Sequence, residues 1–469
     1  MKTDRIYIKD LSQHIGNEVL IKGWVNIRRD QGKMIFLDFR DMTGVVQGVV
    51  LPGAAEAIEV GKKLRTEFVV AVTGKVNERP ERNKKAGVMN GDIELEILNI
   101  EIINEAETLP FDIAGNGTEI DEAVRLEHRY VDLRRLRLQK NIRNRFKIQQ
   151  LVRSELEKKG FCEIETPLMS APTPEGSRSY LIPSRLHKGK FYALPQSPQQ
   201  YKQLLMVGGF ERYFQFARCM RDEDTRGDRQ PEFTQLDMEM SFVEPEDIMS
   251  LNEELLINVV KTLYPEKRIQ QIPFPRMTYK EAMDTYGNDR PDIREDKSDE
   301  NLLAFLWVTD FPAFEKTGAD NLDGTGEWTF THNPFSKPQE KSMEDFRNKT
   351  NIGDIVTTQY DITMNGFEIG GGSIRHHNAQ DQKTAFEIMG YSDEKIEASF
   401  GHMLKALGYG APTHGGIAWG FDRLVMLLEN EPNIREVIAF AKTGEGRDLM
   451  MGAPIEVGVK QMMELGIKK

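Results

Sequence analysis

Apolar residues in the first hundred positions fall in short runs rather than at helical spacing. Val19–Ile27, Met34–Arg40, Val45–Leu51, Glu67–Val76 and Asp92–Ile103 are rich in Val, Ile and Phe, and Gly32, Thr43-Gly44, Pro52-Gly53 and Asn90-Gly91 punctuate them. That rhythm predicts five strands joined by turns, with one helical stretch near Ala54–Leu64. Strands in this number close as a small Greek-key barrel. Beyond Arg125 the pattern changes to helices mixed with longer antiparallel strands. Ile148, Leu151, Val152 and Leu156 fall at i, i+3, i+4 and i+8 and mark one apolar helix face. Gly160 ends that helix, and Phe161–Pro167 reads as a strand stopped by proline.

Two hairpins collect chemistry on one face. Tyr213–Met220 and Phe233–Phe242 read as strands joined by the charged loop Arg221–Gln230. Side chains alternate along a strand, so Leu236, Met238, Met240 and Phe242 point to the core. Phe233, Gln235, Asp237 and Glu239 then share a polar face with Gln215, Cys219, Arg221 and Glu223. The second hairpin turns at Asn365-Gly366, a strong two-residue turn signal. A regular ladder pairs Thr363 with Glu368, Ile362 with Ile369 and Asp361 with Gly370. Asp361 and Glu368 become diagonal neighbours, ~7–8 Å apart at Cα. Like charges that close call for a cation, and Mg²⁺ with phosphate oxygens suits the gap. Gly370-Gly371-Gly372 would let a ligand approach the backbone, with Arg375 in reach. A third element, Gly415–Leu428, reads as a strand, a glycine and a helix opening near Asp422, a favoured cap. Arg423 opposes the dipole in that first turn, which points to a ligand anion or to pairing with Asp422.

Composition narrows the class. The 469 residues carry 62 basic and 74 acidic side chains, a net charge of −12, with 39% apolar content. This is a globular composition of two to four domains. No window approaches the ~18 apolar residues of a membrane span, and Met1–Arg5 leads into no signal segment, which predicts a cytoplasmic protein without membrane contact. Cys162 and Cys219 cannot build a disulfide framework or a cysteine-rich zinc site. Charge is uneven: no Lys or Arg lies between Ala86 and Val124, whereas Arg125–Lys147 holds nine against two acids. Such a switch suggests a domain join followed by a surface that meets phosphate, or else a solvated basic helix. The barrel is of the oligonucleotide-binding type. Trp24, Phe36 and Phe39 could be its core, or Phe36 with Arg28, Arg29 and Lys33 could stack and hold single-stranded bases; both readings stay open.

The motifs resemble those of class II aminoacyl-tRNA synthetases. Arg221-x-Glu223 with Phe233 is similar to motif 2, Gly420-Phe421-Asp422-Arg423 to motif 3, and Glu163–Pro167 to motif 1, the dimer-forming element of that class. Thr173–Tyr180, Gln196–Gln199, Arg229–Gln235 and Gly370–Arg375 resemble the aspartyl-tRNA synthetases in particular. The resemblance implies an α+β fold: an N-terminal five-stranded barrel over 1–104 that binds the anticodon, a hinge over 105–135, and over 136–469 an antiparallel six-stranded sheet flanked by helices. It implies activation of L-aspartate with ATP and Mg²⁺, transfer to tRNA(Asp) and possibly tRNA(Asn), and a homodimer. By resemblance Arg221, Glu223, Gln230, Phe233, Glu368, Gly420, Phe421, Asp422 and Arg423 hold ATP, with Arg221 and Arg423 catalytic. Asp361 and Glu368 match the magnesium carboxylates. Glu175, Gln199, Lys202, Arg221, Asp237, His332 and Arg375 match positions around the amino acid. Arg28, Phe36, Gln47, Arg79 and Glu94 match anticodon contacts.

Lys202 and Arg375 together would meet an aspartate side chain, whereas neutral asparagine would leave buried cations uncompensated, at ~3–5 kcal/mol. Two departures from the family pattern stand out. The large insertion of bacterial members between motifs 2 and 3 is reduced to about 280–305, and Asn333 stands where a second histidine is usual. An asparaginyl enzyme, an aspartate-adenylating amidating paralogue and a catalytically silent RNA-binding regulator are the alternatives; the barrel argues against the second, and Arg221, Glu368 and Arg423 against the third.

Overall fold

The computed structural model describes residues 4–172, 176–223, 225, 227–317 and 326–467. The chain divides into two units, Met1–Asp112 and Ile113–Lys469.

The first unit follows the alternation. Strands β1 (Glu18–Gln31), β2 (Met34–Asp41) and β3 (Gly44–Val50), helix α1 (Ala55–Gly61), and strands β4 (Val69–Glu78) and β5 (Ile93–Asn104) succeed one another. The strands close in the order β1-β2-β3-β5-β4, with β3 and β5 parallel. Closure leaves no free edge, and Val25, Leu37, Phe39, Val72 and Leu95 fill the inside without exposed surface. Of the three aromatics in question only Phe39 is core; Trp24 and Phe36 are half-buried.

The second unit is built on one mixed sheet. In chain order its strands are β6 (Cys162–Glu163), β7 (Arg212–Met220), β8 (Glu232–Ser241), β9 (Arg276–Thr278), β10 (Phe305–Thr309), β11 (Tyr360–Met364), β12 (Phe367–Ile374) and β13 (His414–Gly420). They lie in the order β9-β10-β11-β12-β13-β8-β7-β6. The inner six are antiparallel, as expected, and the short β9 and β6 add a parallel partner at each edge. The expected strand Phe161–Pro167 therefore shrinks to two residues. An edge strand has a partner on one side only, and after the Ile164 N–H bonds Phe214 O at 3.1 Å the chain leaves the sheet ahead of its proline.

Helices α2 (Leu136–Lys158), α3 (Gln199–Val207), α4 (Pro245–Leu263) and α5 (Phe421–Leu428) flank the sheet. Ile148, Val152 and Leu156 of α2 are sealed in the core with Leu255, Leu256, Val259 and Val260 of α4. Two buried tryptophans dock on α4 through their indole N–H groups, Trp419 on Asn252 at 2.7 Å and Trp307 on Glu253 at 3.0 Å. Leu236, Met238 and Met240 face this core, as the alternation requires. Phe242 does not: β8 ends at Ser241, and Phe242 takes φ +58° and is 69% exposed where the chain turns off the sheet.

Much of the basic stretch after Arg125 is interior, neither a phosphate-facing surface nor a solvated helix, while Lys140, Arg143 and Lys147 stay exposed. Arg125, Arg129 and Arg135 are buried around Asp132 at 2.7–3.0 Å, and Arg125 and Arg137 reach Glu436 at 2.7 and 2.8 Å. Arg145 pairs with Asp422, Lys140 with Glu429 at 3.1 Å. Besides Asp132 within the run, the matching acids lie roughly three hundred positions away, a pairing no local charge count can reveal. The second half of the expected hinge, Glu122–Asp132, is accordingly short helix held inside the second unit. Only Gly287–Asn301 joins the helix Tyr279–Tyr286 to the following strand, where a large insertion would sit. No helix among the described residues is long and apolar enough to cross a membrane. Cys162 is exposed and Cys219 buried, the latter donating from Sγ to Gln235 Oε1 at 3.2 Å.

Candidate active site

The polar face of the sheet has a low floor. Gln215, Asp237, Ala418, Gly371 and Asp361 stand directly opposite one another across β7, β8, β13, β12 and β11. The small central pair, Ala418 and Gly371, leaves room between the carboxylates. A Cβ on Gly371 would lie 2.5 Å from Asp361 Oδ1, and one on Gly372 would collide with the Gly416 carbonyl. These glycines are thus required by neighbouring strands as much as by a ligand.

The hairpin register departs from the regular ladder. Thr363 opposes Glu368 as expected, but Ile362 opposes Gly370 and Asp361 opposes Gly371, so Ile369 is a bulge. Ile369 and Gly370 both turn towards the core, where a side chain on residue 370 would press the Trp419 ring at 3.1 Å. The bulge leaves Asp361 and Glu368 close enough to act on each other. Burial first, then the Glu368 charge, hold the Asp361 carboxyl well above the usual carboxylate range. A buried carboxyl paired with a half-buried one at the cavity fits a hard divalent cation. No group of three His, Cys, Asp or Glu suited to a metal occurs among the described residues, so phosphate oxygens and water would complete its shell.

A cavity of about 270 Å³ opens beside this hairpin. Motif 2 supplies one wall: Arg221 lies over the Phe233 ring at 5.2 Å, Glu223 pairs with Arg229 at 3.2 Å, and Gln230 completes it. Glu368, Gly420, Asp422 and Arg423 supply the other. Arg423 holds the Glu368 carbonyl through Nη1 and Asp228 through Nη2 at 3.0 Å, while its buried Nε has no partner. It does not pair with Asp422. That carboxylate accepts the Thr234 N–H at 2.8 Å and the Arg145 guanidinium, rather than capping its own helix. Of the expected ATP residues only Phe421 is absent from the wall. As the first residue of α5 it turns its ring onto Phe216 in the core, 5.1 Å between centroids.

Three of the expected amino-acid residues, Lys202, Asp237 and Arg375, form with Glu239 a second, sealed cluster on the same face, whereas Arg221 lines the cavity. Lys202 bridges Asp237 at 2.7 Å and Glu239 at 3.1 Å, and Arg375 Nε meets Glu239 at 3.1 Å. All four side chains are buried. On the sequence alone Lys202 and Arg375 look like a pair awaiting a carboxylate; each already has one. Burial raises the Asp237 pKa against the pull of Lys202. Burial also acts on Glu239, but Arg375 and Lys202 outweigh it and its pKa falls. Glu239 was assigned no role by resemblance, although its place on the polar face was legible from the alternation.

Around this cluster, Gln199 donates to Gln203 at 3.1 Å, and the Gln203 amide meets His414 Nε2 at 3.2 Å. His414 Nδ1 faces Pro412 O at 2.8 Å, and burial lowers its pKa, so it stays neutral. His332 packs edge-on against Phe311 with Nδ1 3.9 Å from Asp361; burial lowers its pKa against the neighbouring acids. Asn333 accepts the Phe335 N–H at 3.0 Å, a turn role. Glu175 lies outside the described residues. Asp228 and Ile434 also line the cavity. The charged loop could have suggested Asp228; nothing in the sequence marks Ile434.

The expected anticodon residues divide. Phe36, Gln47 and Glu94 are half-buried on the outside of the barrel. Arg28 lies opposite the inward-facing Leu37, on the other face from Phe36, and binds the Lys62 carbonyl at 2.6 Å and Asp30. A bulge between Val25 and Ile27 causes that switch. Arg79 is buried against the Ile93 carbonyl at 2.8 Å.

Residues 121–444 match the family model for tRNA synthetases class II (D, K and N), and residues 19–103 that for the OB-fold nucleic acid binding domain. The aspartate–tRNA ligase of Macrococcus caseolyticus is 38% identical, over 97% of this chain and 96% of its own. That of Staphylococcus aureus is 37% identical, over 97% of each. The first alignment runs over 581 positions against the 469 residues here, so at least 112 positions face no residue of this chain. The asparaginyl-tRNA synthetase of Pyrococcus horikoshii, complexed with asparaginyl-adenylate, superposes with a TM-score of 0.75 at 22% identity, covering 94% of this chain and 98% of its own. The aspartyl-tRNA synthetase of Entamoeba histolytica gives 0.71 at 22% identity, over 93% and 91%. The fold, both family models and the full-length likeness agree: the chain belongs to the class II tRNA synthetases, among the aspartate–tRNA ligases.

Proposed function

We infer that the chain activates L-aspartate with ATP and passes it to tRNA(Asp) in the cytoplasm. An aspartate α-carboxylate oxygen attacks the α-phosphorus of ATP, the bond to the β-phosphate oxygen breaks, and pyrophosphate leaves. A hydroxyl of the tRNA terminal adenosine then takes the aspartyl group and AMP departs. Such steps need positioning and charge stabilisation more than a strong base. Arg221 sits beside the adenine stack on Phe233 and meets the α-phosphate, while Arg423 meets the far phosphates. Magnesium, when bound, neutralises phosphate charge; Asp361 and Glu368 would hold it.

The observation that carries this reading is one polar sheet face holding both an arginine-walled cavity and the sealed Lys202–Arg375 cluster. Selection of aspartate follows from charge. Lys202 and Arg375 stand together in one buried cluster, and burial holds the Asp237 pKa above its usual value against the pull of Lys202, so a dicarboxylate guest finds two cations in reach. Pyrophosphate–ATP exchange with aspartate, asparagine and lysine, followed by charging of tRNA(Asp) and tRNA(Asn), tests it. Exchange driven by asparagine above aspartate would overturn the assignment. Motif 1 residues with exposed Leu168 and Met169 beside them are the surface for a homodimer, checked by molar mass in solution.

Two variants separate the parts. Phe36→Ala is expected to weaken tRNA use by ~1–3 kcal/mol, the worth of one base stack, and to spare exchange. Loss of exchange with tRNA binding intact would count against an anticodon role for the barrel. Asp361→Asn should cost activity yet raise Tm by several degrees in divalent-free buffer near pH 8. The sign follows from the raised pKa: the protonated carboxyl favours the fold at low pH, and that benefit disappears as pH rises through the folded value. Melting curves of both proteins at pH 6 and 8 with a chelator would decide; an equal or lower Tm for the variant would refute it.

A further inference from the structure

We propose that Arg129, which touches neither substrate nor cavity, is a positioning residue for the nucleotide. The motif 2 loop is fastened from outside by the segment that follows α5. The Ile434 N–H donates to Gly227 O at 3.2 Å, and Thr225 Oγ1 donates to the Gly444 carbonyl. The Lys442 N–H donates to Gln230 Oε1 at 2.8 Å, and Gln230 Nε2 returns a bond to Lys442 O at 3.1 Å. Lys442 Nζ adds an ion pair with Glu232 at 3.0 Å. Gln230 and Ile434 themselves form cavity wall.

That segment is held by the Glu436 ion pairs, by Asn141, which donates to Glu436 O at 3.2 Å, and along its backbone above all by Arg129. Arg129 donates from Nη2 to Arg435 O at 2.6 Å and to Ile438 O at 2.9 Å, and from Nε to Ala439 O at 2.9 Å. Nη1 is braced on Asp132 at 2.9 Å. Arg129 is 2% exposed. Three backbone carbonyls on one planar fork set where residues 435–439 lie, and those residues lead into the bonds that place Gln230. A lysine keeps the charge but offers one rotatable ammonium, which cannot hold that geometry. Loosening this hold lets the nucleotide wall drift while the aspartate cluster, built on α3, β8 and the end of β12, stays in place.

The proposal rests on reading the cavity as the ATP site. Arg129→Lys is expected to raise KM for ATP about tenfold in pyrophosphate exchange, with KM for aspartate unchanged. Glu436→Gln weakens the ion pairs to Arg125 and Arg137 but leaves the three carbonyl bonds; it should lower Tm without moving KM for ATP. Lys442→Met, at a less buried position, loosens the same segment from its other side and should also raise KM for ATP. If both Arg129→Lys and Lys442→Met keep the wild-type KM for ATP, or raise both KM values in step with lost stability, the proposal fails while the functional reading stands. A wild-type protein without aspartate-dependent exchange would overturn both.

Discussion

Arg423→Ala is expected to reduce aspartate-dependent pyrophosphate–ATP exchange by at least 10²–10³-fold, with tRNA binding through the barrel largely kept. Removing one preorganised charge aimed at a developing phosphate anion costs about 3–4 kcal/mol in comparable sites. The geometry supports a ligand role over a structural one. Two nitrogens are used on Asp228 and the Glu368 carbonyl, and the third is buried at the cavity without a partner. A buried donor left unmade is costly unless something arrives to accept from it. Arg423 also stands in the first turn of α5, where the helix dipole adds to its attraction for phosphate. Arg423→Lys keeps the charge without the fork and should recover part of the activity. Undiminished exchange in the alanine variant would remove Arg423 from the mechanism.

The largest effect on stability is expected from Asp132→Ala. Its carboxylate is fully buried and holds Arg125, Arg129 and Arg135 at 3.0, 2.9 and 2.7 Å. Truncation leaves three guanidinium groups crowded in the interior with only part of their compensation. Breaking a buried pair from one side costs about 3–5 kcal/mol, or roughly 5 °C in Tm for a unit of this size. The acid limb of stability should change too. Burial would raise the Asp132 pKa, but the bonds from Arg125 and Arg135 outweigh it and the value falls; Glu436 behaves likewise. A depressed carboxylate stabilises the fold above its unfolded pKa, near 4, and loses that contribution as pH falls through the folded value. The variant should therefore lose less stability than wild type as the pH falls below about 4. A Tm within about 2 °C of wild type would mean that the arginines find other partners.

How far the molecule was legible varies from element to element. All five barrel strands and their turns were visible, because a half-buried strand must alternate and a tight turn must use residues such as Asn90-Gly91. The face shared by Phe233, Gln235, Asp237 and Glu239 was visible for the same reason, and the paired strand Tyr213–Cys219 confirms it. The one-residue bulge at Ile369 was not. At that point the strand must pass close to Trp419, fifty residues away in sequence, where a Cβ on residue 370 would press the ring at 3.1 Å. Arg28 changed face for a similar reason, a bulge in β1 that the alternation of Val and Ile does not disclose.

Local periodicity and motif spacing therefore carried the architecture, the family and most of the cavity wall. Tertiary structure alone decided who neutralises whom. The basic run after Arg125 would look the same in sequence whether it met phosphate, water or buried acids; the approach of Glu429–Glu436, with Asp132, takes Arg125, Arg129 and Arg135 into the interior. Lys202 and Arg375 look available until Asp237 and Glu239 are seen between them. Alternation and turn chemistry act over a few residues, and the chain spells them out. Burial and charge compensation depend on which distant surfaces meet, and that is settled only when the chain folds.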